Sequence, residues 1–217
     1  MNVSASKENI LKKIRKALTQ STPLPFPASE GASSVFQPSR QELEIEFGEQ
    51  FSSLQGKFIY CSDRQELESG LQALIAHNKW EKIYFVSEEA ESLLPESFLQ
   101  RPPFADLAGC DAAITGCEAL VARTGSIVLS SAQPSGRTTS VYAPVHICIA
   151  YTDQLVYDIR DALQALREKY GLAGLPSLIS FATGPSRTAD IEKTLVVGVH
   201  GPGEVYLFLV ERNPLAS

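Results

Sequence analysis

Gly184-Pro185-Ser186-Arg187-Thr188-Ala189-Asp190-Ile191-Glu192 and, a few residues on, Val199-His200-Gly201-Pro202 set hydroxyls, a guanidinium, carboxylates and an imidazole between apolar runs. Such groups at this spacing suit recognition of an anion. The run before them, residues 178–182, reads as a buried strand, and Gly-Pro punctuation ends it before a short helix-forming segment. Ser186, Arg187 and Thr188 would then stand at a strand's C-terminal edge, where unpaired helix N–H groups, two hydroxyls and a guanidinium converge on a phosphate or carboxylate. The same residues have an ordinary structural use. Ser186 or Thr188 can cap the helix, Arg187 can pair with Asp190 or Glu192, and the glycines and prolines can shape turns. His200 is either an acid–base group or a satisfied core histidine.

Two other groups of residues carry chemistry. Thr124-Gly125-Ser126 precedes an apolar run, and a loop from Ser130 to Ser140, rich in Ser, Thr, Gly and Pro, follows it with one cation, Arg137. This is either a polar cradle for an anionic ligand, with Arg137 as a fork to carboxylate or phosphate, or a solvated connection. Glu118, just past Gly116, is a candidate base or acyl nucleophile if burial raises its pKa, and otherwise a carboxylate at a helix start. His146 lies within an apolar alternation and reads as structural. Cys61, Cys110, Cys117 and Cys148 contain no Cys-x-x-Cys pair and match no common zinc or iron-sulfur spacing, so buried thiols and no metal are expected. No dinucleotide-binding, Walker, zinc-protease or nucleophile-elbow signature is present.

These groups need elements to hold them. The 217 residues suffice for one α/β domain with a terminal extension. A net charge of −6 with dispersed Lys and Arg argues against nucleic acid. No apolar run approaches a membrane span, and the charged start does not resemble a signal peptide, so a cytoplasmic protein is expected. Residues 6–18 predict an amphipathic helix with Ile10, Leu11, Ile14 and Leu18 on one face, followed by a Pro/Ser-rich linker to residue 38. Residues 1–38 thus form a helical arm and residues 39–217 the α/β domain. Ser39-Arg40-Gln41-Glu42 has the pattern of a capping box for a helix that buries Leu43, Phe47 and Phe51.

Strand-like residues 58–61 and 82–86 alternate with a helix-like stretch over 63–76. Further strands are predicted over 112–115, 126–130, 145–150, 178–182 and 205–210, one or two helical turns over 116–122, and a long helix over 156–170 with Ile159, Leu163 and Leu166 inward. This rhythm predicts a three-layer α/β/α fold with a mostly parallel sheet covered on both faces. Ligands then belong at the strands' C-terminal ends, where the loops after Thr115, Ser130 and Thr183 would share a crevice.

Four blocks taken together resemble the LUD family: Ala112 to Cys117 through Thr124 to Ser131, Pro144-Val145-His146-Ile147, Gly184 to Glu192, and Val196 to Pro202. The resemblance is strong over roughly the C-terminal half and extends to the N-terminal half only in general layout. It implies the fold of the sugar-phosphate isomerase and CoA-transferase group. It also implies a part in oxidising L-lactate to pyruvate alongside iron-sulfur proteins, with the clusters on those partners and no cofactor on this chain. Where family members commonly carry an acid ahead of the Thr-Gly-Ser block, this chain has Arg123, which passes any acid's role there to another group such as Glu118. Three readings follow. The chain is an accessory subunit binding a small carboxylate or phosphate through Ser186, Arg187, Thr188, Arg137, Thr124 and Ser126; or a stand-alone isomerase- or transferase-like enzyme on a phosphorylated or acyl substrate, with Glu118 or His200 as its acid–base group; or a non-catalytic assembly module. Each is compatible with a homo-oligomer.

Overall fold

The computed structural model describes residues 5–18, 38–39, 41–100, 102–188 and 196–212. The chain divides into two units, Met1–Pro38 and Ser39–Ser217. In the first, α1 (Ala5–Leu18) has Glu8 in its first turn and Arg15 and Lys16 in its last, which complements the helix dipole, and Ile10 and Ile14 are exposed one turn apart.

The second unit runs α2 (Leu43–Ser53), β1 (Lys57–Cys61), α3 (Arg64–Asn78), β2 (Ile83–Tyr84), α4 (Ser87–Leu93), α5 (Glu96–Leu99), β3 (Ala112–Thr115), β4 (Ala119–Val121) and β5 (Ser126–Ser130). It continues with α6 (Thr139–Tyr142), β6 (Val145–Tyr151), β7 (Leu155–Val156), α7 (Ile159–Tyr170), β8 (Ile179–Ala182), β9 (Arg187–Thr188), β10 (Val196–Val197) and β11 (Glu204–Val210).

β6 and β11 are near-continuous apolar runs, as strands covered on both faces must be, and they occupy the middle of a parallel sheet ordered β1-β11-β6-β3-β2. Alternation along β11 sends Tyr206, Phe208 and Val210 to one face and Val205, Leu207 and Leu209 to the other. On the first face lie α3, α4 and α5, through Leu67, Leu71, Ile75, Ala90, Leu93 and Phe98. On the second lie Phe47 and Phe51 of α2 with Leu120, Ile127 and Leu129. Each fully buried Phe or Leu in these layers is worth roughly 1.5–3 kcal/mol over its exposed state.

The expected mostly parallel sheet between helical layers is therefore present, but β4, β5 and β8 lie outside it. They form a second sheet, ordered β7-β4-β5-β8, in which β5 is antiparallel to both neighbours. Its outer face packs on Ala162 and Leu166 of α7.

Local expectations are met in α3. Asp63 caps it by accepting from the Gln65 and Glu66 N–H groups at 2.8 Å each. Elsewhere the local chemistry differs. The capping box at Ser39 does not form: α2 starts at Leu43, and the Ser39 hydroxyl instead donates to the Glu46 carboxylate at 2.7 Å. Residues 116–122 hold β4 rather than a helix. The long helix begins only at Ile159, because Asp158 closes a capping box with Asp161, and Leu163 points outward while Ala162 and Leu166 point in.

Candidate functional site

Ser186, Arg187, Thr188 and His200 come together, though not on a helix start. Arg187 and Thr188 are a short strand paired antiparallel with Val197 and Val196. The Ser186 N–H donates to the Pro202 carbonyl at 2.9 Å and its hydroxyl to the His200 carbonyl at 3.2 Å, while the Ser186 carbonyl accepts from Gly198 at 3.0 Å. Gly203 donates to the Pro144 carbonyl at 2.9 Å, which ties this hairpin to the start of β6. The block follows the C-terminal end of β8, as expected. Because β8 belongs to the second sheet, the chain there reaches the N-terminal edge of β6 and β11 rather than the C-terminal edge of the parallel sheet.

Arg187 and His200 are both exposed. The Arg187 guanidinium donates to the Leu54 carbonyl at the end of α2, a placement that also complements the negative end of that helix. A guanidinium has five donors, so others remain for a ligand. Among the described residues Arg187 has no carboxylate partner. Asp190 and Glu192, the alternative partners, lie outside the described residues. His200 is thus neither buried nor a core histidine.

Thr124, Ser126 and Thr183 form a hydroxyl chain, with oxygens 2.8 Å apart at each step, beside the same end of α2. Two glycines permit this approach. Gly125 and Gly184 have φ of 59° and 78°, and a Cβ on either would lie 2.5 Å from backbone atoms of α2's last turns, the Phe51 nitrogen and the Leu54 oxygen. Thr124 and Ser126 therefore stand by the Arg187 hairpin. Arg123 is turned away, paired with Asp158 at 2.7 Å.

Glu118 and Arg137 belong to the opposite end of the second sheet, since Ser130 pairs with Ile179 and Ser126 lies beside Thr183. The Glu118 side chain is 1% exposed, and its carboxylate accepts from Ser130 at 2.5 Å, Tyr170 at 2.8 Å and Lys169 at 2.8 Å. Burial pushes its pKa up, but these hydrogen bonds and the Lys169 charge outweigh burial and hold it below the usual carboxylate value. The expectation of a raised pKa fails for that reason, and so does the helix-start alternative, because Glu118 precedes β4. Its observed work is to fasten α7 to the second sheet. Arg137 donates to the Ser177 hydroxyl, so it ties two loops of this end together, away from Arg187.

At the C-terminal edge of the parallel sheet the loops after Thr115 and Ser130 do meet, through a residue that the motifs did not single out. Glu89 on α4 accepts from the Gly116 N–H at 2.9 Å, the Gln133 amide at 3.4 Å and the Ser135 N–H at 3.2 Å. Its one signal in sequence is a carboxylate shortly after the strand-like residues 82–86. The loop after Thr183 is absent from this crevice because β8 runs antiparallel to β5.

Below the crevice, the Thr115 hydroxyl donates to the Gly116 carbonyl at 2.9 Å and lies 2.8 Å from His146 Nε2. With that proton directed at the carbonyl, Nε2 must donate, which fixes the tautomer and leaves the buried Nδ1 without a partner among the described residues. Burial lowers the His146 pKa to about 4, so the ring is neutral. Next to it, burial first, and then Cys117 and the Glu89 charge, raise the Cys148 thiol well above its ordinary value. All four cysteines are free and buried, and Cys110 and Cys117 pack in different clusters. Among the described residues no three His, Cys, Asp or Glu side chains are grouped as metal ligands, and no helix is long and apolar enough to cross a membrane.

A family model described as the LUD domain matches residues 45–210. Lactate utilization protein C of Shouchella clausii is 38% identical over 101 residues, 46% of this chain and 44% of that one, so the match spans less than half of that relative. Lactate utilization protein C of Anoxybacillus flavithermus is 29% identical over 196 residues, 82% of this chain and 86% of the other. The crystal structure of a DUF162 family protein from Deinococcus radiodurans superposes with a TM-score of 0.58 at 21% identity, over 80% of this chain and 99% of that one, a likeness of fold. The chain belongs to the LUD domain family.

Proposed function

We propose that this chain serves in lactate utilization, the oxidation of L-lactate to pyruvate, as a subunit working with iron-sulfur proteins, and that it binds a small carboxylate or phosphate at the Arg187 hairpin. The observation that carries the reading is the match to lactate utilization protein C over 82% of the chain. Within the chain, the hairpin is favoured because it carries an exposed guanidinium without a described carboxylate partner, flanked in sequence by Ser186 and Thr188, together with the exposed His200. His200 is the hairpin's acid–base group among the described residues, and Thr124 stands beside the end of α2 with the buried Ser126 behind it. Glu118 is left to structure, since three donors engage its carboxylate, and Arg137 is left out because it stands at the opposite end of the second sheet from the hairpin.

The test is anaerobic reconstitution of the iron-sulfur proteins with and without this chain, read as lactate-dependent reduction of an artificial electron acceptor. Activity that requires the chain is the expected result. Arg187→Ala should then weaken carboxylate or phosphate binding by roughly 1.5–3 kcal/mol, the worth of a charge-assisted hydrogen bond. Full activity without the chain overturns the subunit reading and points to a separate enzyme or an assembly module; unchanged anion binding in the variant removes Arg187 from the site.

A further inference from the structure

A groove of about 580 Å³ opens where the start of α2 meets the end of β1, lined by Glu42, Glu44, Ile45, Phe58, Tyr60 and Glu211. Its apolar surface is open to solvent: Ile45 is 51% and Tyr60 46% exposed. Phe58 closes the floor against Phe47, with ring centroids 6.0 Å apart. β1 is an edge strand, paired only with β11 among the described residues, so nothing described continues the sheet beyond it.

Three carboxylates ring this apolar floor. Tyr60 donates its hydroxyl to Glu211 at 3.0 Å, and burial together with the charges of Glu211, Glu44 and Glu42 raises the pKa of that phenol. Among the described residues none of the three acids has an ion-pair partner. Three like charges around a half-exposed apolar floor repel one another in the unliganded chain. They would be relieved by incoming cations, while Ile45 and Tyr60 gain from being covered.

We propose that this groove is a protein-docking site whose occupant is a surface segment carrying Lys or Arg side chains around one apolar residue, the latter seated between Ile45, Phe58 and Tyr60. The assignment rests on the reading of the chain as a subunit, and the occupant is placed on one of its iron-sulfur partners. Charge complementarity supplies steering and salt dependence, and the apolar seat supplies residence.

The purified iron-sulfur proteins are titrated anaerobically into the full chain, with binding read by calorimetry or light scattering. The variants are Ile45→Ser, the pair Glu44→Gln and Glu211→Gln, and Leu172→Ser as a control on another exposed apolar side chain, 72% exposed. All four positions are on the surface, so the fold is expected to survive, which thermal melts confirm. Kd should rise at least about tenfold in Ile45→Ser and in the double variant, remain unchanged in Leu172→Ser, and rise with salt in the wild type more steeply than in the double variant. Wild-type binding that the groove variants leave untouched overturns the docking site alone. Absence of any wild-type binding overturns both the docking site and the subunit reading beneath it.

Discussion

His146 and Glu118 are buried ionisable side chains with opposite solutions to the same cost. His146 stays neutral: burial lowers its pKa from 6.5 to about 4, and one ring nitrogen is satisfied by Thr115. Between those values the unfolded chain takes up a proton that the folded chain refuses. Its contribution to stability is therefore complete above pH 6.5 and is lost as pH falls toward about 4, a loss of about 3 kcal/mol. Glu118 stays charged, since Lys169, Ser130 and Tyr170 outweigh its desolvation, so its contribution is present above the usual carboxylate value and disappears only at more acid pH. Unfolding free energy measured from pH 8 to 3 should thus fall in two steps; His146→Gln should remove the upper step, and Glu118→Gln should shrink the lower, which Asp111, Asp158 and Glu204 share because hydrogen bonds hold their pKa values down as well. A wild-type profile flat between pH 6.5 and about 4 would contradict a sealed, neutral His146. These roles were only half legible in sequence. His146 declared itself structural by lying in an apolar alternation. Glu118 read as a candidate base or a helix-start carboxylate because sequence shows a carboxylate near a strand end but not the three donors, 12, 51 and 52 residues away, that hold it. Glu89 escaped notice because its partners are mostly backbone N–H groups, which carry no mark in sequence.

At the level of elements, the contact between α2 and the turn joining β4 to β5 positions Thr124, Ser126 and the Arg187 hairpin together. Gly125 is its pivot. The residue has φ 59°, and a Cβ there would lie 2.5 Å from the Phe51 nitrogen and 2.9 Å from the Phe51 Cα. Left-handed strain and overpacking against backbone add, so Gly125→Ala should destabilise the protein by roughly 2–5 kcal/mol. Gly136 is the comparison: its φ is 65°, but nothing lies within 4 Å of a Cβ built there, so Gly136→Ala should cost only the backbone strain of roughly 1–2 kcal/mol. Denaturant melts of the two variants give the difference directly, and equal losses would mean that α2 yields without cost. The alternation of strands and helices up to β3, and the central apolar runs of β6 and β11, could be read from periodicity. The second sheet could not. Antiparallel strands usually betray themselves by polar residues on every second position, but all five residues of β5 are buried, because Ile127 and Leu129 face α2 and the parallel sheet while Val128 faces α7. A doubly covered antiparallel strand looks in sequence like a parallel one. That ambiguity sent the loop after Thr183 to the wrong edge and divided the expected crevice into two.

Across the Ser39–Ser217 unit, the layers are bound by shared residues rather than stacked as separable pieces. Every second side chain of β11 belongs to the cluster under α3, and the intervening ones belong to the cluster that holds α2 and the second sheet. Neither sheet face can be exposed without stripping β6 and β11, whose central side chains Ile147, Cys148, Ile149, Ala150, Leu207 and Leu209 have no exposure. The second sheet, with short strands covered on one side by α7 and on the other by the parallel sheet, has too little apolar surface of its own to persist alone. The unit should therefore unfold in one step, and two probes on opposite sides can establish it. Trp80, the chain's single tryptophan, packs against the α3-side cluster with its ring centroid 6.0 Å from that of Tyr206, so its emission reports the loss of that layer. The amides of Leu120 and Ile127 lie in the second sheet, paired with each other in register, and their hydrogen exchange reports its opening. The free energy from Trp80 emission in denaturant and that from exchange at Leu120 and Ile127 should agree to within about 1 kcal/mol, the error of the extrapolation. Exchange at Leu120 and Ile127 through a markedly cheaper opening would show that the second sheet detaches while the parallel sheet stands. The hydroxyls of Thr124 and Ser126 would then be carried away from the Arg187 hairpin without global unfolding, and the proposed anion site would have to be treated as one that assembles and disassembles in the native state.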